Sequence, residues 1–239
     1  LIGRDSELSL MKELLLAGQS IVIIAPRRMG KTSLMIELIN QMKQEAYLIT
    51  HIDVFSTSNI PTLARRIVES VFSNNKLDKY FRQALINIAD VFKNASFKSE
   101  IEDYSFILEF NNKAKTAPFD LLADSLHLMD HYAIKNEKKM LAAFDEFGDI
   151  KKLDGEHIVK LFRSIIQLQK NTVFLFTGSY ESVMNELFVS KSSPFYRMAR
   201  IIELGNIRDE DFKPYIRKTL IDNNINMITL TYSLSILLS

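Results

Sequence analysis

Four β-branched residues in a row, Ile21-Val22-Ile23-Ile24, run into the loop Ala25-Pro26-Arg27-Arg28-Met29 and then into Gly30-Lys31-Thr32-Ser33. Beyond it an apolar period of three to four residues begins, carried by Leu34, Met35, Leu38, Ile39 and Met42. A short continuous apolar run reads as a strand buried on both faces, and the period after it as an amphipathic helix. Strand, tight loop and helix start in that order constrain the fold to a layered α/β sheet. They also place free backbone N–H groups, the lysine of a Gly-Lys-Thr triplet and a hydroxyl at one helix N-terminus, which is what cradling a phosphate requires. The run departs from the GxxxxGK[ST] pattern only at its first residue, Ala25. Alanine fits there if its φ is negative and costs of order 1 kcal/mol or more if it is positive. The alternative is a chance Gly-Lys-Thr at a helix start.

The same strand type recurs along the chain. Residues 47–54, 140–145, 172–178 and 200–204 are apolar and bounded by turns, and helical patterns separate them at 5–17, 30–44, 61–71, 118–133, 156–169, 180–189 and 209–222. Leu8, Leu10, Met11, Leu14 and Leu15 form the apolar face of the first helix, with Asp5 or Ser6 as its cap. Alternating buried strands and helices predict a parallel five-stranded sheet flanked by helices. Residues 77–117 read as a mostly helical insertion in a core spanning 1–206, and 207–239 as a partial helical lid. Within that lid Ile228, Leu230, Tyr232, Leu234 and Ile236 alternate with polar residues in a strand-like period.

The second chemical signal is "AAFDEF", where Asp145 and Glu146 follow a buried strand. Ligands of open α/β sheets bind at the carboxyl ends of strands. Asp145 there would hold Mg²⁺ through water, and Glu146 would orient or deprotonate an attacking water; the other reading is an acidic turn capping the next helix. At the end of the fourth strand, "FTGS" offers Thr177 and Ser179 to a terminal phosphate or to that water. Arg27 and Arg28 in the loop can steer a phosphate-bearing ligand, or simply be solvated.

These stretches together resemble a known group. "LIGRDSEL", "APRRMGKTSL", "FDEFGDI", "LFRSIIQ", "TGS" and "SPFYRMARIIEL" are similar to the archaeal-type ATPase family within the AAA+ and STAND P-loop NTPases, which also occurs in bacteria. The resemblance covers about residues 1–222 and is thin over 77–112. It implies an AAA+-like P-loop core with the start of a C-terminal helical lid, binding ATP with Mg²⁺. By position, the loop from Ala25 through Pro26, Arg27, Arg28, Met29 and Gly30 to Ser33 would wrap the phosphates. Lys31 would contact them, Thr32 and Asp145 would hold the metal, and Glu146 would complete the acid pair. Ile2, Gly3 and Arg4 match the segment that passes the adenine, or serve as a lead-in to the first helix. Arg197 stands where such proteins place an arginine finger acting on a neighbouring subunit; it is otherwise a solvated arginine or a partner of Glu203. Arg163 and Gln167 match an R-x-x-x-Q pattern that could report nucleotide state, or pack at the core edge. In a small residue before "PRR", Ala25 agrees with the family.

Composition limits the rest. With 30 Lys and Arg against 29 Asp and Glu, bulk charge points to neither nucleic acid nor membrane, though a local basic patch stays open. There is no cysteine, hence no disulfide framework or thiolate metal site. His127 and His131 form a helical i, i+4 pair, but no HExxH arrangement accompanies it. No leader is visible and no apolar run reaches the ~20 residues of a membrane span, so the expected compartment is the cytoplasm. The chain begins at Leu1, which reads as a fragment with sequence missing upstream. Two functional classes follow: an Mg²⁺-dependent ATPase, or a nucleotide-dependent switch with little turnover of its own. A P-loop kinase is a third, for which no acceptor site is visible. What nucleotide cycling would drive, whether protein or DNA, is left open by these residues.

Overall fold

In a computed structural model, residues 2–73, 95–99, 106–110 and 117–223 are described. Five strands form one parallel sheet: β1 (Ile21–Ile24), β2 (Leu48–Asp53), β5 (Met140–Asp145), β6 (Thr172–Gly178) and β7 (Arg200–Glu203), in the order β2-β5-β6-β1-β7. The α-helices are α1 (Asp5–Leu16), α2 (Lys31–Gln44), α3 (Ile60–Ser73), α4 (Pro118–Lys135), α5 (Lys151–Ile166), α6 (Glu181–Phe188) and α7 (Asp209–Asp222). The parallel five-stranded sheet with flanking helices is the expected architecture.

Strand alternation decides which helices cover which face. Ile21, Ile23, Leu141, Ala143, Val173 and Leu175 point to one side and pack with α1 and α2. Val22, Ile24, Met140, Ala142, Phe144, Phe174 and Phe176 point to the other and pack with α3, α4, α5 and α6. Phenylalanines dominate that second core. Phe147 contacts Phe144, Phe162, Phe176, Phe188 and Phe195 with ring centroids 4.5–6.0 Å apart, so the turn after β5 is anchored by aromatic packing. At the open edge of the sheet, Ser70 of α3 accepts the His51 N–H at 2.8 Å and donates to the His51 carbonyl at 3.0 Å. A side chain thus takes the place of the missing neighbour strand and blunts the edge.

Several expectations change. Leu10 is 48% exposed, so the apolar face of α1 is narrower than its sequence suggests. Neither Asp5 nor Ser6 caps that helix: Arg4 is the N-cap and no side-chain cap bond forms. Within 77–117 the described residues form an antiparallel pair, β3 (Ala95–Ser99) with β4 (Phe106–Phe110), rather than helix. The aromatic and β-branched "FILEF" suits a strand, and the remainder of that insertion lies outside the described residues. Residues 151–166 are broken at Asp154 and Gly155, whose φ of +56° ends the first turns, so the regular part of α5 starts near Glu156 as expected. A 3-10 turn, Phe147–Ile150, precedes it. Helix α7 has the bounds expected of a helix at 209–222, and the strand-like period from Ile228 to Ile236 lies outside the described residues.

Candidate functional site

Parallel register brings the chemistry to one edge. Ile24 pairs with Gly178, Asp53 with Asp145, and β5 with β6, so the loop after β1, the acids after β5 and the end of β6 leave the sheet side by side. Ala25 is 1% exposed, packs in the core beside α1 and α2, and is absent from the residues with positive φ. Its methyl is therefore accommodated without backbone strain. Gly30, the N-cap of α2, does need glycine: its φ is +81°, although an added Cβ would meet nothing within 4 Å. Conformation, not space, is the constraint there. Pro26, Arg27 and Arg28 are exposed and Met29 is partly buried against the α1–α2 core.

Lys31 is buried, and its Nζ donates to the carbonyls of Ala25 at 2.9 Å and Pro26 at 2.8 Å. Burial lowers its pKa below the ordinary 10.5, against the opposing pull of Glu146, Asp145 and Glu181. The ammonium is thus held inside the loop by neutral acceptors, which an anion would outcompete. Thr32 Oγ1 donates to Asp145 Oδ2 at 3.0 Å, across 113 residues of sequence. Asp145 is itself buried, and its other oxygen accepts the Glu146 N–H at 3.0 Å and the Thr177 hydroxyl. Glu146 adopts a left-handed conformation, φ +50° and ψ +42°, which aims its carboxylate at Ser179. It accepts the Ser179 N–H at 2.9 Å and the Ser179 hydroxyl.

The structure therefore gathers Lys31, Thr32, Asp145, Glu146, Thr177 and Ser179. Thr177 and Ser179, expected at a phosphate or water, lie on the two acids, one each; Thr177 is fully buried behind Asp145. A hydroxyl and a carboxylate oxygen converging beside a buried lysine fit Mg²⁺, which takes one or two protein oxygens and fills its octahedron with water and phosphate. Among the described residues no group of three or more His, Cys, Asp or Glu could hold a metal, and both His127 and His131 are exposed.

Other expected residues sit elsewhere. Arg4 is buried, its guanidinium bonded to the Gly205 carbonyl at 2.6 Å and Glu7 at 2.8 Å. A Cβ on Gly3, whose φ is +57°, would fall 2.7 Å from Ile207 and 2.9 Å from Asp211. Ile2, Gly3 and Arg4 thus run against the connection between β7 and α7. Arg197 is exposed, its guanidinium 5.2 Å from the Tyr196 ring centroid, with no ion pair to Glu203 among the described residues. Gln167 bonds to Ser164 of its own helix at 3.5 Å. Tyr180, in sequence no more than a helix start, holds Arg27, whose Nη2 donates to the Tyr180 hydroxyl at 2.5 Å. Its position directly after "TGS" was the available signal.

No curated protein matches the chain. Among solved structures it is similar to the Walker-type ATPase of Pyrococcus abyssi, with a TM-score of 0.63 at 14% identity over 95% of this chain and 60% of that one. It is also similar to the ORC2 protein of Aeropyrum pernix in ADPNP–ADP complexes, at 0.58 and 12% over 91% and 51%. A third is the ORC1 protein of the same organism in complex with DNA, at 0.54 and 10% over 93% and 50%. The chain spans about half to three fifths of the length of these proteins, and at such identities the likeness is one of fold. Residues 1–222 match the ATPase domain found predominantly in Archaea. The chain belongs to that family, and its fold is that of a P-loop ATPase.

Proposed function

We propose that this domain binds ATP with Mg²⁺ and hydrolyses the bond between the β–γ bridging oxygen and the γ-phosphorus. The observation that carries the reading is the contact of Thr32 with Asp145, with Lys31 and Glu146 adjoining it in sequence. The backbone of the loop from Ala25 to Gly30 would surround the phosphates, and the Lys31 ammonium would exchange the carbonyls of Ala25 and Pro26 for phosphate oxygens. Thr32 and Asp145 would hold the magnesium, whose charge offsets that of the β- and γ-phosphates. Glu146 would accept a proton from, or orient, the water whose oxygen bonds to the γ-phosphorus as ADP leaves. Thr177 keeps Asp145 oriented. Arg197 would act in a second copy, at developing charge on the γ-phosphate.

The second reading is a nucleotide-dependent switch of the STAND kind with little basal turnover. It is favoured by one contact: both donors of Ser179 engage the Glu146 carboxylate and withhold it from water. Mg²⁺-ATP turnover per chain across a range of protein concentration, with Lys31→Ala as the blank, separates the two. An ATPase predicts turnover above the blank that Glu146→Gln abolishes while nucleotide binding persists. Turnover that rises with concentration supports Arg197 acting in trans. Turnover at the blank's level with nucleotide still bound supports the switch. At a hundredfold excess of ligand over Kd, bound nucleotide stabilises the wild type by about 2.7 kcal/mol; a Lys31→Ala chain that keeps this increment would overturn both.

A further inference from the structure

Two consecutive residues at the end of β6 each hold a charged group of the site. Ser179 holds Glu146, as above. Tyr180 holds Arg27, whose guanidinium donates to the phenol oxygen at 2.5 Å while its central carbon lies 4.9 Å from the ring centroid. A second cation, the Lys152 ammonium, lies 5.4 Å from the same ring and is itself tied to Asp149 at 2.7 Å. Tyr180 is 41% exposed, yet it joins the phosphate loop to the start of α5. Arg27 stands three residues before Gly30 and four before Lys31, in the exposed part of the same loop. A loop cation next to a lysine that binds phosphate gains from a further negative charge there.

We propose that Tyr180 is a positioning residue for Arg27, and that Arg27 leaves it for the terminal phosphate of a nucleoside triphosphate, making the loop discriminate triphosphate from diphosphate. This rests on the reading that the loop binds nucleotide. The exchange follows from relative strengths. An exposed cation–aromatic contact is worth about 0.5–1 kcal/mol and a bond to a neutral phenol is comparably modest. A guanidinium on a phosphate makes charge-assisted, bidentate bonds roughly twice as strong as neutral ones. A diphosphate lacks the terminal group, so with it Arg27 stays on Tyr180. Because Tyr180 is the N-cap of α6 and directly follows Ser179, losing its hold on Arg27 perturbs the same turn that retains Glu146. That turn is packed closely: a Cβ on Gly178 would lie 2.5 Å from Met184 Sδ of α6. The loop, the acid and α6 are thereby linked through three successive residues.

The two sides of the contact have opposite signs, which a merely structural role would not produce. Titration of the purified chain with Mg²⁺ and either ADP or ADPNP reads them as dissociation constants. Arg27→Ala should weaken ADPNP by about tenfold and leave ADP within about twofold. Tyr180→Leu should tighten ADPNP by about threefold, because the competing state of Arg27 is removed, and leave ADP unchanged. Tyr180→Phe, which keeps the ring, should fall between it and the wild type, and Arg27→Ala/Tyr180→Leu should behave as Arg27→Ala alone. Both single variants weakening ADPNP, equal effects on ADP and ADPNP, or an unchanged ratio of the two would overturn the proposal while the nucleotide-binding reading stands. A wild-type chain that binds neither ligand would overturn both.

Discussion

Replacing Ala25 by glycine would restore the usual first residue of the phosphate loop, and it should make the protein worse. The Ala25 methyl is buried among side chains of α1, α2 and the central strands, and its backbone does not use positive φ. Ala25→Gly removes one buried carbon, worth about 0.8 kcal/mol. It also frees the unfolded chain, worth a further 0.4–1 kcal/mol or so. The expected loss is about 1.2–1.8 kcal/mol, which for a chain of this size lowers Tm by roughly 2–7 °C. The assay is a thermal or guanidinium melt run with and without Mg²⁺-ATP. The increment added by nucleotide should be the same in wild type and variant, because the lysine, the αL glycine and the acids are untouched. An Ala25→Gly chain that is as stable as wild type, or one with a larger nucleotide increment, would refute this account. Either result would mean that alanine strains the loop and that the departure from pattern is a functional compromise.

Thr177→Val keeps the volume of a fully buried side chain but removes a donor from buried Asp145, so the denaturation midpoint should fall by the equivalent of about 1–3 kcal/mol. An unchanged midpoint would show that the hydroxyl is dispensable. Gly178→Ala places a methyl 2.5 Å from Met184 Sδ and 2.6 Å from its Cγ, an overpacking that should cost about 1–3 kcal/mol. Met184→Ala should relieve it, and a double-mutant cycle with a coupling below about 0.5 kcal/mol would contradict the contact. For Lys31 the sign is set by burial, which lowers its folded pKa below 10.5. Burial therefore costs stability at neutral pH, where the group is charged in both states, and this cost is lost as pH rises to 10.5. Bound phosphate favours the ammonium, so affinity for Mg²⁺-ATP should be flat at lower pH and fall as pH rises through the lowered pKa, with proton uptake on binding. A calorimetric titration showing no alkaline fall in affinity, or the same fall in Lys31→Ala, would contradict it.

The sheet was legible because its strands are short apolar runs whose alternation already assigns each side chain to a face. Val22 and Ile24 against Ile21 and Ile23 is the simplest case, and β5 and β6 repeat it. Part of the site was legible for the same reason: parallel strands carry Gly30-Lys31-Thr32 and Asp145-Glu146 to one sheet edge, while their contact depends on the strand order, in which β6 separates β1 from β5 and Thr32 reaches Asp145 past its end. Details set by long-range contact were not. Arg4 is tied to Gly205, 201 residues away, and nothing local predicts that bond or the loss of an Asp5 cap. Polarity at a strand end gives Thr177 and Ser179 only a general orientation toward the ligand edge of the sheet. Which acid each reaches is set by β6 running beside β5 and is visible only in the folded chain. Arg27 and Tyr180, 153 residues apart, gave no sequence signal as a pair.

Backbone strain is distributed unevenly, and the pattern bears on where the fold spends stability. Among the described residues, the non-glycine residues with positive φ are Arg28, Ala46, Glu137, Glu146 and Arg197. Ala46 and Glu137 follow the ends of α2 and α4 and donate to carbonyls of Lys43 and Ile134, as a left-handed residue closing a helix does. Arg28, Glu146 and Arg197 close no helix in that way. Each accepts a cost of about 1–2 kcal/mol that a glycine would avoid. For Glu146 the return is visible: the left-handed turn lets Asp145 and Glu146, adjacent in sequence, engage two different residues of β6's end, Thr177 and Ser179. An extended Glu146 would direct its carboxylate away from that strand. The turn after β5 is fixed by Phe147, buried among five other phenylalanines, so the strain is imposed by packing and is not a local preference. Aromatic core and acid pair are therefore one construction, in which the residue that packs best determines where the residue after Asp145 points.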